Sequence, residues 1–194
     1  MIDVRPLTGA ALDGALDDVA RLRIAVFRDW PYLYDGDVAY ERGYLQVYRE
    51  SGAAVVVGAF DGDRLVGAAT GMPLADHADD FAEAFAGSGI GMETVFYCAE
   101  SVLLPACRGH GIGHRFFDER EAHARRLGFA KVAFCGVVRP ADHPLRPDDA
   151  RSLEPFWRGR GYEPLPGVVA HFSWKDIDQA TETVHPLQFW MRAL

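Results

Sequence analysis

The residues with the clearest chemistry are Arg108, Gly109, His110, Gly111, Ile112 and Gly113, read as RGHGIG. An apolar run, residues 95–104, precedes them, and a helix-like run, residues 114–127, follows. A strand, a glycine-rich turn and a helix start in that order build an anion site. The first amides of a helix lack intrahelical acceptors, and the helix dipole places partial positive charge there. Glycine lets the backbone approach a phosphate with no Cβ in the way. The amides of Gly109 through His114 are therefore the expected phosphate cradle, with Arg108 either touching the anion or bracing the loop. Spacing excludes two common phosphate binders. No GxxxxGK followed by Ser or Thr occurs here. A dinucleotide GxGxxG counted from Gly109 puts His114 where the third glycine should stand. An ordinary tight strand–helix turn is the alternative to a phosphate site.

What remains is Arg-x-x-Gly-x-Gly, carried by Arg108, Gly111 and Gly113. After a strand and at the opening of a helix, this pattern resembles the coenzyme A pyrophosphate loop of the GNAT N-acetyltransferase superfamily. Residues 156–162, FWRGRGY, resemble a later segment of the same superfamily: an aromatic pair, a three-residue spacer, then glycine and an aromatic. The resemblance covers residues 2–165. It implies acetyl-CoA as co-substrate. It also implies a bulge near the end of the fourth strand, where backbone groups around Leu103 and Leu104 hold the pantetheine arm and the thioester oxygen. Backbone donors suit that role because they need no reorganisation as charge develops. Many members carry a tyrosine in the aromatic pair that protonates the departing sulfur. Here Trp157 stands in that place, and an indole N–H donates a hydrogen bond but is no usable acid. Tyr97, Tyr162 or water is left for the task. Trp157 itself packs either on the coenzyme or in the core.

An alkylammonium has a pKa of about 10, so an amine acceptor needs a base, directly or through water. Glu100 is the leading candidate, in an otherwise apolar strand eight residues before Arg108. A charge there must face solvent, a partner or a cleft. Glu100 is thus either the cleft base or a salt-bridged edge residue, with Glu93 in reserve. The acceptor pocket is expected from loops. Trp30, Tyr32 and Tyr34 with Asp35 and Asp37 either cage an amine by cation–π and ionic contacts or form a lid on the first two helices. Arg139, Asp142 and His143 follow the fifth strand and are further acceptor-side candidates. Arg23 interrupts the apolar face of the first helix, so its stem packs while its guanidinium finds a carboxylate.

The elements that position these groups follow from periodicity. Residues 2–6 read as a first strand. Leu12, Leu16, Val19, Ala20, Val26 and Phe27 recur at helical spacing. Residues 38–50 read as a second helix. Residues 53–60 and 65–72 make a hairpin around Asp61-Gly62-Asp63-Arg64. Residues 81–85 read as a short helical patch and residues 131–138 as the next strand. Residues 168–175 and 183–192 read as two C-terminal strands, the last a candidate for pairing across a homodimer. Together with the resemblance this gives an α/β (α+β) GNAT fold, a single domain over residues 1–194. Its sheet is mixed and mostly antiparallel, of about seven strands, flanked by helices, with a splayed central parallel pair binding coenzyme A.

Composition narrows the function. The net charge of −8 argues against a general nucleic-acid binder, although Arg108, Arg115, Arg125 and Arg126 are placed to make a local basic pocket. An acidic surface favours a cationic substrate. No run of about 20 apolar residues is available to span a membrane, and no basic-then-apolar leader opens the chain. Three cysteines without CxxC spacing fit reduced thiols in the cytoplasm, with no disulfide framework. The seven histidines include no HExxH-type pair, so no metal is expected. No Ser/His/Asp or Cys/His arrangement is evident, which favours direct transfer over a covalent enzyme intermediate. The expectation is an acetyl-CoA-dependent N-acetyltransferase acting on a primary amine of a small molecule. The alternatives are a protein lysine or N-terminal acetyltransferase, or a catalytically inactive acyl-CoA-binding or regulatory module.

Overall fold

The computed structural model describes residues 2–194. The chain runs β1 (Asp3–Leu7), α1 (Gly9–Phe27), α2 (Val38–Glu50), β2 (Val55–Asp61), β3 (Arg64–Pro73), α3 (Ala78–Phe85), β4 (Val95–Tyr97) and β5 (Ser101–Leu103). It continues with α4 (Ile112–Arg126), β6 (Lys131–Val137), α5 (Glu154–Gly159), β7 (Glu163–Lys175) and β8 (Glu182–Ala193). The sheet order is β1-β2-β3-β4-β6-β8-β7, with β5 also on β3. Every pairing is antiparallel except β4 with β6, which is parallel.

The sheet is covered on both faces because the helices carry apolar stripes at helical spacing. α4 buries Ile112, Phe116, Phe117 and Ala124 against Val55, Val57 and Phe134. α1 and α2 bury Val19, Ala20, Leu45 and Tyr48 on the other face, against Val56 and Ala68. Asp37 starts α2 by accepting the Tyr40 amide at 2.9 Å. α3 packs Phe81 and Phe85 on Val95 and Phe189.

The sheet has eight strands because the run 95–104 breaks in two. Thr70 donates its amide to the Glu100 carbonyl at 3.0 Å and accepts the Ala99 amide at 3.0 Å. Two residues thus oppose one, which is a β-bulge. The resemblance placed it near Leu103 and Leu104, whereas those residues pair regularly: Leu103 is in register with Gly67, and the Leu104 amide donates to Val66 at 3.0 Å. Arg120 explains the location. Its buried guanidinium, reaching from α4, donates to the carbonyls of Thr70 at 3.2 Å and Glu100 at 3.0 Å, and to Ser101 Oγ at 2.8 Å. A planar fork with several donors holds the extra residue in place.

The C-terminal strand is also placed differently from the expectation. β8 lies inside the sheet, between β6 and β7, with Leu187 to Ala193 on one neighbour and much of its length on the other. Its hydrogen-bonding edges are taken within the chain, so a second copy would meet β7 or β1 instead.

Candidate active site

The parallel pair is short. Val95, Phe96 and Tyr97 match Lys131, Val132 and Ala133, and the Cys98 amide makes a further bond to the Ala133 carbonyl at 2.8 Å. Beyond it β5 follows β3 while β6 continues along β8, so the strands part. In an antiparallel ladder alternate residues turn their polar groups away from the partner. With the Leu104 amide on Val66, it is Ser101 and Leu103 that present theirs to the gap. The Leu103 carbonyl accepts Arg108 Nε there at 3.3 Å. Leu104 is engaged on both sides, its carbonyl taking the Cys107 amide at 2.9 Å. Of the two residues expected at the pantetheine arm, Leu103 faces the gap.

At the end of β5 the glycine loop turns into α4. Gly109 and Gly111 have φ of +81° and +75°, which L side chains adopt only with strain. No backbone carbonyl among the described residues accepts the amides of Gly109 through His114. A Cβ built on Gly109 or Gly111 would meet nothing within 4 Å, so the loop faces open space. Bare amides at a helix start, with no side chain in front, fit a pyrophosphate. The neighbouring side chains turn aside. The His110 ring lies 3.3 Å from the Cys107 carbonyl, Ile112 is buried in the core, and His114 packs on Phe156 with ring centroids 4.8 Å apart. A Cβ on Gly113 would stand 3.5 Å from the Phe156 ring. Arg115, expected in a basic pocket, instead donates to the Ile2 and Val4 carbonyls at 3.1 Å.

Trp157 lies against the far lip of the gap. A Cβ on Gly136 would come within 2.9 Å of its ring, and its centroid is 4.9 Å from Phe134 and 5.2 Å from Trp190. Tyr162 is fully buried and donates to Glu121 at 3.0 Å, facing α4.

Tyr97, Ala99 and Glu100 on one lip and Cys135 on the other also line a cavity of about 300 Å³. Its remaining walls come from α1, α2, the loop at residues 30–37, the α3 side and the end of β7. Asp35, Asp37, Glu41, Asp80, Glu100 and Glu182 line it against two permanent cations, Arg23 and Lys175. Tyr32, Tyr34, Tyr44, Phe81, Phe172 and Trp174 supply aromatic surface.

At the deep end Arg23 sits between two carboxylates, pairing with Glu41 and with Glu100. All three side chains are under a tenth exposed. Tyr44 donates to the other Glu100 oxygen at 3.0 Å. Burial alone would lower the Arg23 pKa, but Glu100, Tyr44 and Glu41 override it and hold the guanidinium well above its ordinary value. Burial, reinforced by Cys135, pushes the Tyr97 phenol well above its usual range; its oxygen lies 3.3 Å from Cys135 Sγ.

Tyr32, Tyr34, Asp35, Tyr97 and Glu100 are thus brought together around one cavity, and Trp30, Arg139 and His143 stand outside its lining. The Trp30 ring packs on His143 at 5.4 Å. Arg139 is buried in a two-point pair with Asp176, at 2.7 and 2.9 Å, and donates to the Pro31 and Tyr32 carbonyls at 2.8 and 2.6 Å. With the Asp35 amide on the Lys175 carbonyl at 2.9 Å, this fastens the loop onto β7. Glu41, His77, Asp80 and Lys175 escaped sequence reasoning. Glu41 had a signal, because it shares a helical stripe with Leu45 and Tyr48, three and four residues apart, where only buried positions recur.

The cysteines differ in access. Burial raises the Cys98 thiol to about 11 and the Cys135 thiol to about 12, the latter against an opposing bond from Tyr97. Both therefore remain neutral thiols near pH 7 and are poor nucleophiles. Cys107, half-exposed beside the glycine loop, is expected to be the one thiol of the native protein labelled by iodoacetamide, with saturating acetyl-CoA slowing the reaction. Mass spectrometry of labelled peptides checks this; prior labelling of Cys135 would contradict the described burial.

Among the described residues no group of three His, Cys, Asp or Glu is placed to hold a metal ion, and no helix is long and apolar enough to cross a membrane. A model of the acetyltransferase (GNAT) family matches residues 19–147. No curated protein matches the chain. The solved structures it resembles include a ribosomal-protein-alanine N-acetyltransferase from Brucella melitensis, at TM-score 0.62 and 14% identity over 99% of both chains. A Drosophila melanogaster polyamine N-acetyltransferase gives TM-score 0.61 at 13% identity, over 99% of this chain and 100% of that one. The Salmonella typhimurium protein yncA, determined with acetyl-CoA, gives 0.59 at 14% identity over 100% and 94%. These likenesses bear on the fold.

Proposed function

The chain belongs to the acetyltransferase (GNAT) family and is an acetyl-CoA-dependent N-acetyltransferase, and from that premise we propose that its acceptor is a primary amine of a small molecule. The observation that carries this reading is the walled, acidic and aromatic cavity set directly against the strand gap. Its carboxylates attract a cation, and its rings add cation–π contact along an apolar body. A deep pocket of this size suits a small amine better than a folded protein surface.

The residues divide the work. The amides of Gly109 through His114 hold the pyrophosphate, and Arg108 braces the loop through Leu103. The gap-facing edges of Ser101 and Leu103 bind the pantetheine arm. One of the deep carboxylates, Glu100 or Glu41, relieves the acceptor nitrogen of its proton. Tyr97, kept protonated by burial, offers its hydroxyl to the departing sulfur. Transfer is direct, because Cys135, the thiol at the gap, is held neutral. Free thiols at all three cysteines suit a cytoplasmic setting.

Calorimetric titration with acetyl-CoA, followed by thiol-release assays with small amines and with lysine- and N-terminus-bearing peptides, tests this. Turnover confined to small amines is expected; faster turnover of peptides would transfer the reading to a protein acetyltransferase. Gly111→Val should weaken acetyl-CoA binding at least tenfold, because the free loop escapes a left-handed conformation that costs an L residue about 1–2 kcal/mol, and because the new side chain projects into the open space before the loop amides. Unchanged affinity in that variant would return the loop to a purely structural turn.

A further inference from the structure

We infer that Glu41 is the residue that receives the acceptor's ammonium and takes its proton, an inference that rests on the small-amine reading above. Glu41 sits in the first turn of α2, its side chain wholly buried, in the cavity lining. One of its oxygens pairs with Arg23 Nε. The other, Oε1, is buried with no hydrogen-bond partner. Buried polar atoms in native folds are nearly always satisfied, and a lone carboxylate oxygen is among the least favourable exceptions. A donor arriving with a ligand completes it.

Glu100 is placed differently. Its Oε1 also accepts no hydrogen bond, but it is covered by the Arg23 Nη1 cation, and its other oxygen accepts the Tyr44 hydroxyl. A base needs a lone pair directed at the proton it removes, and at Glu100 both oxygens are already faced by positive or donating groups. Charge points the same way. Glu41 and Glu100 share a single cation, so with both ionised one negative charge in the cavity lining has no counter-charge. One ammonium makes it neutral. Tyr34, whose phenol is pushed up by burial and then by Glu41, stands beside it and stays a neutral wall for the amine.

The proton balance closes. The ammonium proton moves to Glu41 Oε1, and the freed nitrogen pair forms the C–N bond at the thioester carbonyl carbon. The C–S bond breaks with its electron pair on sulfur, the nitrogen's second proton goes to that sulfur, and Glu41 returns its own proton to water.

The test uses 2-phenylethylamine, hexylamine and 1,4-diaminobutane as acceptors with the native enzyme, then Glu41→Gln and Glu100→Gln with the best of them. Failure of all three amines with the native enzyme, beside turnover of peptides, overturns the small-amine reading and this inference with it. With a working amine, Glu41→Gln should lower kcat/KM at least 100-fold while acetyl-CoA affinity and melting temperature stay near native values. Its residual activity should climb as pH rises toward the amine's own pKa of about 10, because an acceptor that arrives neutral needs no base. A purely structural Glu41 would not give that rescue. Retention of kcat/KM within threefold, or a loss that tracks acetyl-CoA binding, overturns the inference.

Discussion

Arg23→Met is expected to lower the unfolding free energy by about 3–5 kcal/mol, the cost of breaking a buried ion pair by removing one partner. Here one cation serves both Glu41 and Glu100, so its loss leaves two carboxylates facing each other with no counter-charge. Urea titration measures the deficit. The double variant with Glu41→Gln should recover part of the loss, because neighbours in one network are not additive. A loss below about 1 kcal/mol would place the trio in a wetter environment than described.

Asp176→Ala should cost a similar amount, about 3–5 kcal/mol, because it strands the buried Arg139 guanidinium. For a chain of this length that lowers Tm by about 10 °C. Trp174 Nε1, 3.0 Å from Asp176, loses its acceptor there as well, though it retains the Tyr32 carbonyl at 3.1 Å. The functional consequence differs from that at Arg23. Arg139 and Asp176 fasten the loop bearing Tyr32, Tyr34 and Asp35, which forms one wall of the cavity. KM for the amine should therefore rise severalfold while acetyl-CoA affinity is retained. Equal weakening of both ligands would show that the loop supports the whole gap.

The glycine loop was legible in the sequence because its code is local. Positive φ at Gly109 and Gly111 and free amides at a helix start depend on a few consecutive residues. The second helix was read over its observed span, Val38–Glu50, since its stripe is written at one period. The bulge was misplaced along its strand because Arg120, a side chain on the following helix, determines where the extra residue goes. Arg139 read as an acceptor-side group because nothing near it in sequence foretells its partner Asp176, which pairing of distant strands brings within reach. Glu100 had two readings in the sequence, a cleft base or a salt-bridged residue; it lines the cavity and is ion-paired, and its company, Arg23 from α1 and Tyr44 from α2, is tertiary. The polar residue on an apolar stripe at Glu41 was the one readable sign of the deep end that went unread.

The short parallel pair has a mechanical meaning. β1, β2, β3 and β5 form one plate and β6, β7 and β8 another, and β4, linking β3 to β6, is the strand that joins them. Its seam with the second plate is three residue pairs long, against seven on the other side of β6. On the proposed function, a coenzyme lying in the gap would supply the missing rungs and splint the two plates. Resistance to unfolding then follows coenzyme supply, by about 2.7 kcal/mol at a hundred times Kd. A cell short of acetyl-CoA would then hold this enzyme not only idle but less stable, and more exposed to its proteases.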